Sequence, residues 1–589
     1  MKLNPRFAVQ RSRTYSVPAP LGGWNTRDSL ASMKPQYAVS LTNWWPTTVD
    51  LQIRRGFTSW ATGMTGTVET LIPYNAPNGT RQLWAITSTG NLHNVTTQGV
   101  APAATITGLS NGRWQHVSFA SPAGNFILAC NGTDAMLRYN GTTWIGMPST
   151  TGKTISTLTG NGVTSTVTTA TAHGLQTGNT ITVTGASVAG FNVAGVTVTR
   201  ISNTQFTYPS TGTPSATGAS YTVAEGISGI DPTNISNINV FKTRIWLTQK
   251  NSLSQWYLAS LAIQGAATEF PMGSIFPMGG FIQTMATWTV DAGQGSDDNA
   301  VFMSSEGEVA VYKGTDPASA ATFALVGLYR QGNPIGNRCQ IKFGGDILAI
   351  TESGVVPMAR SILTAQVTEN SALTDIIQSA MAAAVTSNSG FGWDACVYPP
   401  ENMLLINVPD AINGNYQFAM NTISGAFTKF TGFLASCWAT SGANLYYGTA
   451  GQVNLVWTND TDSGAPIVAS ALPAFVGFGS YSQTKKINMV RPIISTAGQP
   501  AVVIGINYDF DTTTMPSGVL NYSAPIGGMI WGSMTWGTMR WGSTLVLQKA
   551  WQMATGIGYT ASMAIVATNN GAETRWSAVD YVFENGGIL

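Results

Sequence analysis

Between about Glu69 and Trp457 the chain alternates short β-branched and aromatic runs with polar positions, and the runs stop at Gly or Asn-Gly turns. Gln82-Leu83-Trp84-Ala85-Ile86-Thr87 turns at Thr89-Gly90-Asn91. Asn125-Phe126-Ile127-Leu128-Ala129-Cys130 turns at Asn131-Gly132 and is answered by Ala135-Met136-Leu137-Arg138-Tyr139, then by Asn140-Gly141 and Trp144. Thr243–Leu247 with Gln255–Leu258, Ala300–Met303 with Glu308–Tyr312, Asp346–Ile350, Tyr416–Met420 and Asn444–Gly448 repeat the theme. Alternation of period two places one face of each run in a core, and Asn-Gly between two such runs is a strong hairpin signal. Spread evenly over one span, hairpins of this kind predict radial repetition. With the insert described next removed, about 315 residues remain, roughly seven blades at ~40–45 residues each. The pattern therefore predicts an all-β chain with a β-propeller of about 6–8 blades, and a pair of β-sandwiches is the structural alternative.

Thr151–Ala224 interrupts the pattern. It holds 21 threonines and no acid, with Lys153 and Arg200 as its charges. Runs such as Thr180-Ile181-Thr182-Val183-Thr184 present one apolar and one hydroxyl face, which predicts a small independent β-module at 151–224, expected to project from the propeller's outer surface. The propeller is then divided into 61–150 and 225–460. Residues 1–60 read as an extended N-terminal arm: Lys2, Arg6, Arg11 and Arg13 precede the first acid, Asp28, and Pro18-Ala19-Pro20 and Gly22-Gly23 make a turn-rich lead. Such an arm is expected to order only against a neighbour. One bridging helix is predicted near 371–385, with Ser371 as N-cap and Leu373, Ile376, Ile377, Ala380, Met381 and Ala384 at helical spacing. Residues 461–589 read as a C-terminal β-rich domain. Its Trp531-Gly532, Trp536-Gly537 and Trp541-Gly542 repeat every five residues, a spacing of neither strand nor helix, which points to a looped ladder of tryptophans.

Composition narrows the function classes. Only 9% of residues are charged and the net charge is +1, which argues against a generally basic nucleic-acid binder. No apolar run approaches the ~18–20 residues of a membrane span, and Met1–Arg6 lacks a signal-peptide core, so a cytoplasmic site of synthesis is expected. Cys130, Cys339, Cys396 and Cys437 are scattered and read as free thiols. Gly146–Thr154 imitates a phosphate loop but separates its glycines by five residues, where the backbone cradle needs four. His173 and Asp462-Ser463-Gly464 imitate triad fragments, yet Thr461 and Ala465 stand where shaping glycines belong. Asn140-Gly141-Thr142-Thr143-Trp144 resembles the tail of an Asp-box turn, with Leu137 and Tyr139 replacing its Ser and Asp, and is read as a structural hairpin. His93, His116 and His173 have no His or Cys partner at ligand spacing, and Asp297-Asp298 and Asp509-Phe510-Asp511 read as solvated turns rather than calcium sites. No catalytic residue, cofactor-binding residue or metal ligand is assigned, no cofactor is expected, and the chain is read as not an enzyme.

Several segments carry a resemblance. Leu21-Gly22-Gly23-Trp24-Asn25-Thr26-Arg27-Asp28, Ala38–Pro46 and Arg54-Arg55-Gly56 resemble the opening of tail proteins from tailed bacteriophages. Val311–Pro317, Leu325–Gly336 and Met420-Asn421-Thr422-Ile423-Ser424-Gly425-Ala426-Phe427 are similar to internal signatures of the same group, and the Thr-rich insert resembles a small phage β-module. The family indicated is the tail nozzle (tail tubular protein B-like) family of short-tailed phages. The resemblance implies a structural virion protein: a hexameric ring below portal and adaptor, built on a β-propeller, that retains genomic DNA and conducts it during ejection. The implied partners are further copies of the chain, the portal–adaptor complex, tail fibres or spikes, double-stranded DNA passing without sequence preference, and a host surface at the distal end. The implied location is the virion tail, assembled in the host cytoplasm. The rival readings are a receptor- or glycan-binding tail protein and a tail-associated glycan hydrolase.

Overall fold

The computed structural model describes residues 12–291, 296–360, 372–388, 390–498, 500–517, 545–548 and 550–586. Seven antiparallel sheets follow one another along the chain, and each opens with an inner strand: Val68–Asn75, Gln115–Ser121, Ile235–Phe241, Ile282–Asp291, Gln340–Phe343, Asp394–Tyr398 and Cys437–Ser441. Each inner strand packs beside the next, and Cys437–Ser441 packs back against Val68–Asn75, so the seven sheets close a ring. This cyclic packing is a seven-bladed β-propeller. The last blade is completed by a strand from the beginning of the chain: Phe57–Thr62 runs antiparallel to Gln452–Val456, with Phe57 opposite Val456. Joining the first strand to the last blade closes the ring with backbone hydrogen bonds, so the blades cannot part without breaking a ladder.

Between-blade cores hold the ring. Trp84, Trp114, Tyr139 and Trp144 pack between blades 1 and 2, and Trp246, Phe302, Tyr312 and Phe323 between blades 3 and 4. Aromatic side chains with ring centroids about 5–6 Å apart fill these wedges because they bury much area on two rotatable bonds.

The ends of the chain form a second layered unit. Arg13–Pro18, Trp44–Pro46, Leu51–Ile53, Lys485–Thr496 and Thr574–Asn585 share one sheet, joined by the short strands Val546–Gln548, Gln552–Met553 and Ile557–Gly558. Facing it, Tyr37–Thr42, Ile467–Pro473, Ala561–Asn569 and Ala501–Tyr508 continue the sheet of blade 6 through Gly23–Trp24. Leu41, Trp44, Ile467, Ile487, Ile565 and Trp576 form the core between them, with Trp44 edge-on to Trp576 at 5.7 Å.

Two expectations change here. From Arg13 onward the segment read as an arm is strand, and Arg13–Pro18 pairs with Ala578–Phe583 over its whole length; residues 1–11 lie outside the described part. The C-terminal residues likewise do not make a domain alone, since their sheets are completed by N-terminal strands. Both readings were local, whereas Val17 pairs with Val579, Leu41 with Ala471, and Trp44 packs edge-on against Trp576.

A 3-10 turn, Asp375–Ile377, leads into the helix Gln378–Ser387; Ile377 of the turn and Met381 and Ala384 of the helix pack against blades 5 and 6. Ser371 lies outside the described residues, as does the Trp-Gly repeat at 531–543. The Thr-rich insert leaves blade 2 after Trp144–Met147 and builds two small sheets around Leu158, Val167, Ile181, Phe191, Phe206 and Tyr221. In Thr164–Thr169 alternate positions are buried, so a threonine-rich strand still supplies a core face.

Candidate functional site

Four of the segments that carry the family resemblance, near residues 21–28, 38–46, 54–56 and 420–427, meet at the seam between propeller and sandwich, whereas Val311–Pro317 and Leu325–Gly336 belong to blade 4. Gly23, at φ +80°, lies against blade 6, where an added Cβ would stand 2.5 Å from the Phe427 carbonyl oxygen. Trp24 donates its indole N–H to the Val39 carbonyl at 3.0 Å, and the Asn25 side chain accepts the amides of Arg27 and Asp28, closing a turn. Arg27 pairs with Asp28 and with Asp375 at the helix entrance. Asn421 donates its side-chain amide to the Pro46 carbonyl at 2.9 Å. Gly56 is required by close approach, since a Cβ there would meet the Thr461 carbonyl oxygen at 1.8 Å.

Arg54 is the hub of this seam. Its side chain is 1% exposed and donates to both Asp462 carboxylate oxygens (2.8 and 2.5 Å), to Asn43 Oδ1 at 3.0 Å, and to the Arg55 and Thr431 carbonyls. The guanidinium also lies 4.0 Å from the centroid of the Phe433 ring. Asn43, held at φ 58°, returns donors to Thr431 Oγ1 and the Val468 carbonyl. One planar fork thus ties the N-terminal strands, blade 6 and the Asp462 turn together, a geometry that a lysine cannot reproduce.

The propeller bore is the second place where polar groups gather. Its cavity of about 480 Å³ is lined by all seven inner strands or the residues that lead into them. Arg338, just before the inner strand of blade 5, reaches to the Glu69 and Trp114 carbonyls (3.0 and 3.1 Å) and to Thr70 Oγ1 at 2.7 Å. Its other nitrogen stands 3.8 Å from Asp394 of blade 6. The guanidiniums of Arg113 and Arg338 lie 4.5 and 5.2 Å from the centroid of the Phe391 ring. Burial raises the Asp394 carboxyl above its ordinary value and Arg338 opposes that rise. Burial, helped by the charge of Arg338, pushes His116 down to about 4, so its imidazole is neutral at pH 7. Neighbouring inner strands are further latched by Asn239 to the Met285 carbonyl (2.7 Å) and Thr287 to the Val240 carbonyl (2.9 Å). These groups tie blades to one another.

The fragments weighed in the sequence are scattered. Gly146 lies in the outer strand of blade 2 and Lys153 in the lead into the insert, where its amide donates to the Tyr221 hydroxyl at 3.1 Å. His173 is buried in the insert: Leu175 N–H donates to Nδ1 and Nε2 bonds the Ser202 carbonyl, both at 3.0 Å. Asp462 belongs to Arg54 and does not approach His173's module. Asn140 accepts the amides of Thr142 and Thr143 in its hairpin, and Trp144 is buried in the wedge beside Trp84. Asp509 accepts the amides of Tyr559 and Thr560, and Asp511 caps its own turn, where hydrogen bonds from Thr514 and then Thr513 hold it down at about 2. Asp298 pairs with Lys242 and accepts from Thr289; the side chain of Asp297 lies outside the description. Among the described residues no three His, Cys, Asp or Glu side chains come together as a metal site. Sequence reasoning marked Arg54 through its motif; it did not mark Arg338 or Asp394, which stand in no recognisable pattern.

No family model matches the chain and no curated protein is similar to it. Among solved structures it is similar to Sqt1 of Saccharomyces cerevisiae (11% identity over 68% of this chain and 98% of that one, TM-score 0.33). It is also similar to YCF48 from Cyanidioschyzon merolae (11%, 70% and 97%, TM-score 0.24) and to the β-propeller domain of Cps50 (Swd1) from Myceliophteria thermophila (8%, 69% and 99%, TM-score 0.26). At these scores the likeness carries no argument, and the fold rests on the strand pairing itself.

Proposed function

We propose that the chain is a structural virion protein, the tail nozzle subunit of a short-tailed phage. In this reading six copies form a ring below portal and adaptor that retains genomic DNA and then conducts it. The observation that supports the reading is the seam: motif segments near residues 21–28, 38–46 and 54–56 meet the distant one near 420–427 at one structural joint. In this reading the duplex passes between subunits, since the bore of each propeller is a cavity of about 480 Å³, the size of a small-molecule site of ~300–1,000 Å³. Portal–adaptor, fibres or spikes and host surface are the partners in this proposal. A glycan-binding tail protein would need exposed aromatic platforms; the tryptophans of the described residues are buried or half-buried.

The test is to image the purified chain, alone and with the portal–adaptor complex, by negative stain and mass photometry, beside a glycan array. A six-membered ring on the adaptor and a blank array are expected. A chain that stays monomeric on the adaptor and binds glycans would overturn the reading.

A further inference from the structure

The walls of the propeller bore carry more hydrogen-bonding capacity than the blades use. Asn237, on the inner strand of blade 3, is 7% exposed, and its side-chain amide makes no hydrogen bond among the described residues. Gln340 Oε1 of blade 5 is likewise buried without a partner. His116 of blade 2 lines the same cavity, and its imidazole has no hydrogen-bond partner among the described residues. Arg338 spends one terminal nitrogen on Glu69, Thr70 and Trp114, while the other stands 3.8 Å from Asp394 Oδ2, beyond hydrogen-bond distance. Burying a polar group without a partner costs free energy, which apolar side chains in a purely structural bore would avoid. Asn407 of blade 6, equally buried, shows the usual arrangement: it donates to the Gly392 and Ala435 carbonyls and accepts from Gln417 and Trp438. Unpaired atoms such as the Trp44 and Trp84 indole nitrogens lie inside apolar cores. In the bore, four groups with unspent capacity share one cavity.

We propose that the bore is a binding site for a neutral polyhydroxylated molecule the size of one sugar ring, a free monosaccharide or cyclitol. The site goes beyond the nozzle reading and does not rest on it. Charge selects the class. Arg338 and Asp394 set one charge of each sign in the wall, and Lys342, the other cation of the lining, is exposed and screened by water. An anion would therefore meet Asp394, and a cation would meet Arg338. A hydroxyl both donates and accepts, so a single hydroxyl bridges the 3.8 Å gap by accepting from Arg338 and donating to Asp394. A second hydroxyl meets Asn237, whose amide offers an acceptor at one end and donors at the other. Burial keeps His116 neutral at pH 7, so its ring adds one donor and one acceptor. The volume of about 480 Å³ holds such a ring together with bridging waters. Asn337 and Lys342 of the lining are exposed, which opens the cavity to solvent on the blade 5 side. A recessed site of this kind takes a free molecule, whereas the tethered chains of a glycan array report exposed platforms.

Of the three histidines, His116 lines the bore and His93 and His173 do not, so full-length chain carrying ¹³C-labelled histidine reports the site directly. The probes are glucose, galactose and myo-inositol, with glucuronate and glucosamine as charged counterparts at about pH 6, where both are ionised. At least one neutral probe is expected to shift His116 saturably at about millimolar concentration, leaving His93 and His173 unmoved. By calorimetry it is expected to bind at least tenfold more tightly than either charged probe. Asn237→Leu, close in shape and lacking the amide, is expected to weaken binding at least tenfold at an unchanged or higher melting temperature. Should it lower the melting temperature, Asp394→Asn, which keeps an acceptor for the Ala395 amide and loses the charge, is scored in its place. Four results overturn the site and leave the bore filled with water only. They are no His116 shift with any neutral probe, equal shifts at all three histidines, a charged probe that binds best, and full affinity in the scored variant. None of them bears on whether the chain forms a ring on the adaptor.

Discussion

Arg54 shows how a single side chain holds two units together. Its N–H groups are satisfied by Asp462, Asn43, Arg55 and Thr431, and its face by Phe433. Removing one partner of a buried ion pair leaves the other charge unpaired, at a cost of about 3–5 kcal/mol. Arg54→Ala is therefore expected to lower the denaturation midpoint strongly, with loss concentrated at the seam in hydrogen exchange. Arg54→Lys is expected to fall between, since it keeps the charge and loses the fork. The histidines offer a second check. His116 and His173 are both held down at about 4, against an ordinary 6.5, chiefly by burial. His173 also uses Nδ1 as an acceptor from Leu175, and protonation would destroy that bond. For a group whose folded value is depressed, the folded state binds the proton less well than the unfolded chain. Its stabilising effect is full above pH 6.5 and is lost as pH falls toward 4. In full-length chain carrying ¹³C-labelled histidine, the resonances of His116 and His173 are expected to titrate near pH 4; midpoints near 6.5 would show solvated rings.

At the scale of elements, the sequence was most legible where neighbours in sequence are neighbours in space. The hairpins Gly124–Cys130 with Met136–Tyr139 and Asn444–Thr449 with Gln452–Val456 are local, so alternation and turn residues suffice to find them. The sandwich was not legible, because Trp44 meets Trp576 and Arg13–Pro18 meets the last long strand, pairings that no local window contains. The helix was recognisable by its spacing, though its first turn is a 3-10 turn whose carbonyl at Ile376 accepts the Thr26 amide. At the seam the motif residues were visible, while the convergence of the segments needed the fold. In the bore nothing was visible, since a cation like Arg338 acquires its meaning only from the opposite wall. The insert was readable because its apolar–threonine alternation is self-contained, and it keeps its own core. It is fastened to blade 2 by Asn179 on Gly146 and by Arg200 and Asn203 on the Thr107 and Gly108 carbonyls. Replacing residues 151–224 by a short Gly-Ser bridge would expose these few polar groups to water, which can satisfy them, and would leave the blade cores untouched. The deletion protein is expected to stay soluble, with near-native β-sheet circular dichroism and the same protease-resistant propeller. An insoluble product would show that the insert belongs to the core.

For the molecule as a whole, charge is scarce and much of it is already engaged within the subunit. The chain has 28 Lys and Arg against 27 Asp and Glu. Arg54–Asp462, Arg491–Asp580, Arg575–Asp50, Arg244–Asp316, Arg113–Glu69 and Arg27–Asp375 are all internal pairs, several of them joining propeller to sandwich or one chain end to the other. An interface between copies of such a chain has few ions to draw on, whereas apolar side chains such as Val326, Ile412 and Met553 are exposed. Raising ionic strength from 0.1 to 1 M shortens the Debye length from about 10 to 3 Å, which weakens exposed ion pairs and leaves apolar contacts intact or slightly strengthened. A ring held as proposed is therefore expected to keep its six copies in molar salt once formed on the adaptor. Docking onto the adaptor itself, if the cations Lys2, Arg6 and Arg11 of the undescribed N-terminus take part, is expected to weaken over the same range. Mass photometry of the ring and of the ring–adaptor complex at both salt concentrations separates the two. A ring that falls apart in moderate salt would place ion pairs at the subunit boundary.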